Sequence, residues 1–332
     1  MDFILSCGNA AIPRPFTPAR HGARPSARPS GASFILTIEQ YEGGSQASMI
    51  EITHKATGTV LARLDIPALA GADLRYLNLA GADLGGRDLS GAKLAYSDLA
   101  GADLHGALLR GANLLKSNLA GADLRGADLT GARLGSEDPA RAARLSGADL
   151  SQARLEGADL RKAGARMARL NAANLDGADL RGIDCSGCDL AGVMARAARF
   201  IRANLSQANL ECADLRDSHL NDANLVRANL RGADLSSRHG DGFSVISLAN
   251  LEGADLSGAN LRNVSAQKAN LRNANLSGVD FKGAVLGGAI LHHANVADAD
   301  FTAVELASVT MEFANFSQAR NAAVPTYKKN LR

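Results

Sequence analysis

Cys185-Ser-Gly-Cys188 has the spacing of half a zinc site, where thiolates and imidazoles must converge on one ion. His292 and His293 are adjacent metal-capable imidazoles, and His239 with Asp241 has the makings of an acid–base pair. None of the three grows into a site. No second cysteine pair or nearby histidine completes the first. No carboxylate pattern surrounds the second, and neither a pocket nor a nucleophile accompanies the third. Glycines are plentiful, yet no phosphate-cradling spacing precedes a helix. No catalytic, cofactor-binding or metal residue is assigned, and the chain reads as non-enzymatic.

What positions these residues is a five-residue period running from Leu69 to Phe316. It comprises 48 repeats, with leucine in 37 central slots, alanine two places earlier in 34, and Asp or Asn just before the centre in 31. A period of five fits neither a helix nor a flat strand. It describes one small unit that buries its apolar pair only by stacking on neighbours. The Leu and Ala columns must share one interior. Where the centre shrinks, at Cys185, Ala195 and Ala266, the partner two places ahead grows to Ile183, Val193 and Val264. That is volume compensation in a close-packed core. Ala165 lacks it, being paired with Ala163, which predicts a void or a local narrowing. Arg87 stands in an alanine slot and breaks the pattern. Cys185 and Cys188 both fall on inward slots, which gives them the role of small hydrophobes. With Cys7 and Cys212 they supply no disulfide framework, and a reducing compartment is expected. The Asp/Asn column suits tight turns, because short polar side chains bond nearby backbone groups.

The A-(D/N)-L-x-x pattern resembles the pentapeptide repeat proteins over roughly residues 67–318. The resemblance implies an all-β fold, a right-handed quadrilateral β-helix with four repeats per coil. Forty-eight repeats then make about twelve coils, and at ~4.8 Å per rung the rod is roughly 55–60 Å long. The best-known bacterial members protect DNA gyrase by imitating a DNA duplex with a strongly negative rod. Dimerisation through C-terminal elements is a further implication of the resemblance.

The phase slips twice, at Leu134 to Leu145 and at Leu235 to Ile246, each eleven residues apart. Read as two repeats plus one extra residue, both interruptions fall at the same corner, five coils apart. Ala165, Cys185 and Ala266 then share one face, with Ala195 opposite. The segments 135–144 (with Pro139) and 236–245 (with Gly240 and Gly242) read as bulging loops. They are either tolerated insertions or a shared lateral contact site. In the second reading Arg141, Arg144, Arg238 and His239 contact the partner.

Residues 1–33 carry five prolines, four arginines and a single acid, and read as a disordered basic tail. The same composition resembles an organelle transit peptide, so a cytoplasmic location has an organellar alternative. Residues 34–66 predict a strand and a hairpin, 50–54 with 59–64, that cap the first coil. Residues 319–332 form a tail, or a lid using Val324, Tyr327 and Leu331. No run approaches 18 apolar residues, so no membrane span is expected.

Net charge is +2 overall but −4 over residues 64–319. A DNA duplex of the rod's length carries over ~30 charges, so the imitation of DNA is poor. Arginines occur on all four faces rather than in one stripe, which disfavours direct nucleic-acid binding. The reading that follows is a non-enzymatic, rod-like scaffold or protein-interaction module. It needs no cofactor, binds an unknown protein partner, and is a monomer or a C-terminal homodimer. The alternative is a DNA-mimicking regulator of a type II topoisomerase such as gyrase.

Overall fold

The computed structural model describes residues 37–38, 49–238 and 244–326. The expectations placed on residues 1–33, Cys7, His239, Tyr327 and Leu331 lie outside them.

Residues 69 onward wind into coils held by parallel bridges between residues twenty positions apart, such as Asp83 with Asp103 and Asn78 with Asp98. Four bridge columns run along the solenoid. We number the faces by their first residues: face 1 at Asp73, face 2 at Asn78, face 3 at Asp83 and face 4 at Asp88. Chain order around a coil makes face 1 opposite face 3, and face 2 opposite face 4. Among the described residues, the face 3 column holds twelve consecutive bridged residues, from Asp83 to Asn315. Rungs are joined through the backbone: the amide of each central residue donates to the next rung, as from Leu104 to the Asp123 carbonyl at 2.7 Å.

Most corners repeat one turn. The amide of the alanine slot donates to the carbonyl three residues back, as Ala102 does to Leu99 at 3.0 Å. The residue before it has a positive φ, for example 61° at Gly101 and 58° at Arg202. This is the torsion a type II turn requires at its third position. The Asp/Asn side chain braces the turn from outside, as Asp98 Oδ1 accepts from the Ala100 amide at 3.1 Å. Asparagines add a second ladder. Asn224 Nδ2 donates to Asn204 Oδ1 at 3.1 Å, and Asn295 Nδ2 to Asn275 Oδ1 at 3.2 Å.

The interior is one continuous column of leucine and alanine, almost all of it fully buried. Phe281 and Phe301 stack inside it with ring centroids 5.1 Å apart. Arg87 keeps the backbone bond of its slot, to the Leu84 carbonyl at 3.1 Å, while its side chain is exposed. The break in pattern therefore buries no charge.

At the N-terminal side, β1 (Thr37–Ile38) pairs parallel with β3 (Val60–Asp65), and β2 (Met49–Thr53) pairs antiparallel with β3. The β2 strand meets the first coil on face 3. The Asp83 amide donates to the Thr53 carbonyl at 2.8 Å, and Lys55 to Gly81 at 2.8 Å. At the other end Val324 packs, partly buried, against the core.

The register at the two interruptions differs from the sequence reading. Asp123 bridges Asp149, and Asp234 bridges Asn260, each 26 positions apart instead of twenty. Each interruption is thus one repeat plus six residues, not two repeats plus one. The first leaves the corner between faces 1 and 2, and the second leaves the corner between faces 4 and 1. They do not share a corner; they flank face 1 from its two edges. The correction moves Ala266 onto face 1, whereas Ala165 and Cys185 stay on face 2 and Ala195 on face 4 opposite.

A second correction concerns the cysteines. Cys185 and Cys188 form a disulfide, with Cα atoms 5.3 Å apart, both buried in the core. The turn brings a central slot and the next alanine slot face to face, so two inward cysteines meet across it. Cys188 Sγ also lies 2.9 Å from the carbonyl oxygen of Ala165, the small centre whose partner Ala163 does not compensate. Cys212 is a free, exposed thiol.

Candidate functional site

The first insertion is built against face 1. The Gly135 amide donates to the Asp159 carbonyl at 2.7 Å and Ser136 to Arg161 at 2.9 Å. A Cβ on Gly135 would lie 2.0 Å from the Arg161 amide nitrogen, so only glycine can start this loop. Asp138 then caps a short 3-10 turn, Pro139–Arg141, by accepting from the Ala140 amide at 2.9 Å. Proline at the first position suits such a turn. The chain rejoins the stack where Ala143 donates to Leu134 at 2.7 Å.

Between these anchors Glu137 reaches onto the next two rungs. Its carboxylate is bound by Arg161 Nη1, and Arg181 Nη2 approaches to 3.9 Å. Lys162 Nζ donates to the Glu137 carbonyl and lies 3.7 Å from its carboxylate. Arg161 also forks onto Asp159, with bonds of 2.9 and 2.8 Å. Burial pushes Asp159 up, but the Arg161 hydrogen bonds prevail and hold its carboxyl below the usual range. The Arg161 guanidinium is raised in turn, chiefly by Asp159.

The four sequence-predicted contact residues are not brought together. Arg141 is exposed at the end of the 3-10 turn, and Arg144 is exposed on face 2 in the bridge column between Asn118 and Gly164. Arg238 is exposed at the second insertion, its amide donating to Asp217 Oδ1 at 3.1 Å. His239 lies outside the described residues. Five rung steps on face 1 separate Arg133 from Val245, about 24 Å at ~4.8 Å each. The two insertions therefore bracket a stretch of face 1 containing the rungs that begin at Asp159, Asp179, Arg199 and His219.

With the register corrected, the charges sort by face. The outward positions of face 1, from Asp73 to Ser308, hold ten Lys or Arg against five Asp or Glu. Those of face 3, from Asp83 to Gln318, hold three against eight. Arginines do occur on every face, as the sequence indicates, but the opposite faces 1 and 3 carry opposite excesses.

Sequence reasoning passed over an aromatic stack on the corner of faces 1 and 2, below the first insertion. Tyr76 is 70% exposed and stacks on Tyr96 at 5.0 Å, with Lys116 Nζ 5.4 Å above the Tyr96 ring. The twenty-residue spacing of 76, 96 and 116 was the available signal. His292 and His293 pack with Phe313, whose ring stacks on His293 at 4.9 Å. Among the described residues no group of three or more His, Cys, Asp or Glu could hold a metal ion.

The family model "Pentapeptide repeats" matches in eight copies, over residues 69–135, 141–236 and 246–320. No curated protein matches the chain. Among solved structures, HetL, a pentapeptide repeat protein involved in heterocyst differentiation regulation in Nostoc sp. strain PCC 7120, is 32% identical. That match covers 61% of this chain and 86% of HetL, with a TM-score of 0.42. QnrB1, a plasmid-mediated fluoroquinolone resistance protein, is 16% identical over 68% of this chain and 92% of its own, with a TM-score of 0.24. A pentapeptide repeat protein of the Arabidopsis thaliana thylakoid lumen is 28% identical over 34% of this chain and 71% of its own, with a TM-score of 0.21. With matched repeats spanning most of its length and a solenoid of twenty-residue coils, the chain belongs to the pentapeptide repeat family.

Proposed function

We propose that the solenoid is a non-enzymatic interaction module that receives a protein partner laterally on face 1, between its two corner insertions. One observation carries this reading: both six-residue insertions flank the same face, from opposite edges and opposite ends of a four-rung stretch. Loops on a rigid scaffold are where binding residues concentrate. Arg141, Arg144 and Arg238 stand at the borders of that stretch, and Tyr76 offers an exposed aromatic of the type enriched at interfaces.

The register supplies a clean test. Deleting residues 137–142 and 238–243 leaves Leu134-Gly-Ser-Ala-Arg-Leu145 and Leu235-Ser-Ser-Ser-Val-Ile246, both in frame. Affinity capture with the full rod and with this trimmed rod should recover a partner only with the former, while thermal melts stay alike. Equal recovery by both sinks the lateral reading.

A second reading, a DNA-mimicking regulator of a type II topoisomerase, draws on the column Asp83, Asp103, Asp123 and Asp149 on face 3. The face's excess of five acids falls far short of the ~30 charges on an equal length of duplex. Gyrase supercoiling with a quinolone, unchanged by micromolar protein, removes this reading.

A further inference from the structure

We infer that the stretch of face 1 between the insertions recognises a carboxylate-rich, extended segment of the protein partner. The inference rests on the lateral docking reading and adds the partner's chemistry.

Three observations converge on it. Face 1 carries the basic excess, while the face across the rod carries the acidic one. Within the bracketed stretch Arg161, Lys162, Arg181, Arg199 and Arg202 outnumber Asp159, Asp179 and Asp222. Most informative is what already sits there. The chain's own Glu137 lies across the lower rungs, its carboxylate held by Arg161 with Lys162 and Arg181 beside it. The molecule thus displays how this surface takes a carboxylate, at the lower end of the stretch.

The rung that begins at Arg199 repeats the basic side chains without such a guest. Arg199 reaches only Asp179, at 3.9 Å, and Arg202 only Asp222, at 3.8 Å, among the ion pairs formed on this face. Both guanidiniums are well exposed, Arg202 at 80% of its side chain. Exposed pairs at such distances contribute little and exchange readily. Each guanidinium keeps free N–H donors, and the planar fork of arginine suits carboxylates. Cations on three successive rungs, from Arg161 to Arg202 and about 10 Å from first to last at ~4.8 Å each, match a short extended acidic peptide better than a single anion.

The test is fluorescence anisotropy with a labelled glutamate peptide of about eight residues, roughly 26 Å when extended, on the full chain at low salt. Binding should weaken at least about tenfold in Arg199→Glu/Arg202→Glu and fall steeply with added salt. Arg231→Glu on face 3 should leave it unchanged. Glu137→Gln, which removes the resident competitor, should tighten it about threefold or more. Thermal melts confirm that each variant is folded.

Four results overturn the inference: no peptide binding; loss of binding in Lys328→Glu/Lys329→Glu but not in the face 1 double variant; weaker binding in Glu137→Gln; or a DNA duplex of equal charge binding tighter through Arg199 and Arg202. If the peptide fails while capture still depends on the insertions, lateral docking stands and only the acidic chemistry falls. If capture is independent of the insertions, the parent reading falls first.

Discussion

Replacing Leu180 with alanine tests the stacked interior where it bears on the bracketed face. Leu180 is fully buried, in the face 1 column between Leu160 and Phe200. The substitution removes three carbons, ~0.8 kcal/mol each, or ~2.4 kcal/mol of transfer energy. A cavity contribution adds to that when neighbours cannot close in. Here they cannot approach along the rod, because backbone bonds of 2.8 Å from Leu160 to Asp179 and from Leu180 to Arg199 set the rung spacing. We expect a loss of about 3–4 kcal/mol. At ~2.1 cal/mol/K of unfolding entropy per residue, that lowers the melting midpoint of a 332-residue chain by roughly 4–6 °C. Leu108→Ala is the matched control, since Leu108 occupies an outward bridge position and is 39% exposed. Its loss should stay below ~1 kcal/mol. Circular dichroism melts of the two variants suffice. A Leu180→Ala midpoint equal to the parent's, or an equal drop for Leu108→Ala, refutes the inward assignment of the leucine columns.

Three further outcomes are expected. Gly135→Ala drives a methyl into the Arg161 backbone, so hydrogen exchange at the Arg161 and Lys162 amides should accelerate; unchanged protection contradicts the close approach. Thiol labelling of the unfolded, non-reduced chain should modify Cys212 but spare Cys185 and Cys188, and labelling of either before reduction would deny the disulfide. The Asp103 carboxylate, 2.6 Å away, raises His105 above its ordinary value, so this pair stabilises the fold fully below the unfolded histidine pKa and loses that contribution as pH rises through the folded one. Asp103→Asn should return the His105 titration, followed by NMR, toward the ordinary value; a titration midpoint that does not move rejects the pairing.

The repeat was legible because its period is stiff. Forty-eight registers of Leu and Ala leave no other consistent interior, and the structure buries those columns. The turn-bracing role of residues such as Asp98 was equally readable, from side-chain length alone. The faces were not. Eleven residues from Leu134 to Leu145 divide as ten plus one or as five plus six, and leucine spacing alone does not choose. The pairing of Asp123 with Asp149 chooses, and with it the face of Ala266 and the sorting of charge. A subtler cue existed, since Ala143-Arg144-Leu145 restarts the unit that Leu134-Gly135-Ser136 leaves. The cysteines illustrate another limit. Both slots read as inward, but linear spacing does not say that a turn folds one slot onto the next. Glu137 was invisible as a ligand of face 1 because its partners lie 24 to 44 residues ahead, in rungs whose register leucine spacing does not fix.

The six-residue detours have a consequence for how such a protein can change. The Leu124 to Asp149 bond, at 2.7 Å, matches the Leu104 to Asp123 bond, although the first spans extra chain and the second does not. The scaffold is therefore indifferent to contour length at its vertices and strict about it along its sides. Lineages can add or drop vertex segments without renegotiating the interior, so new specificities can be trialled at little risk to folding.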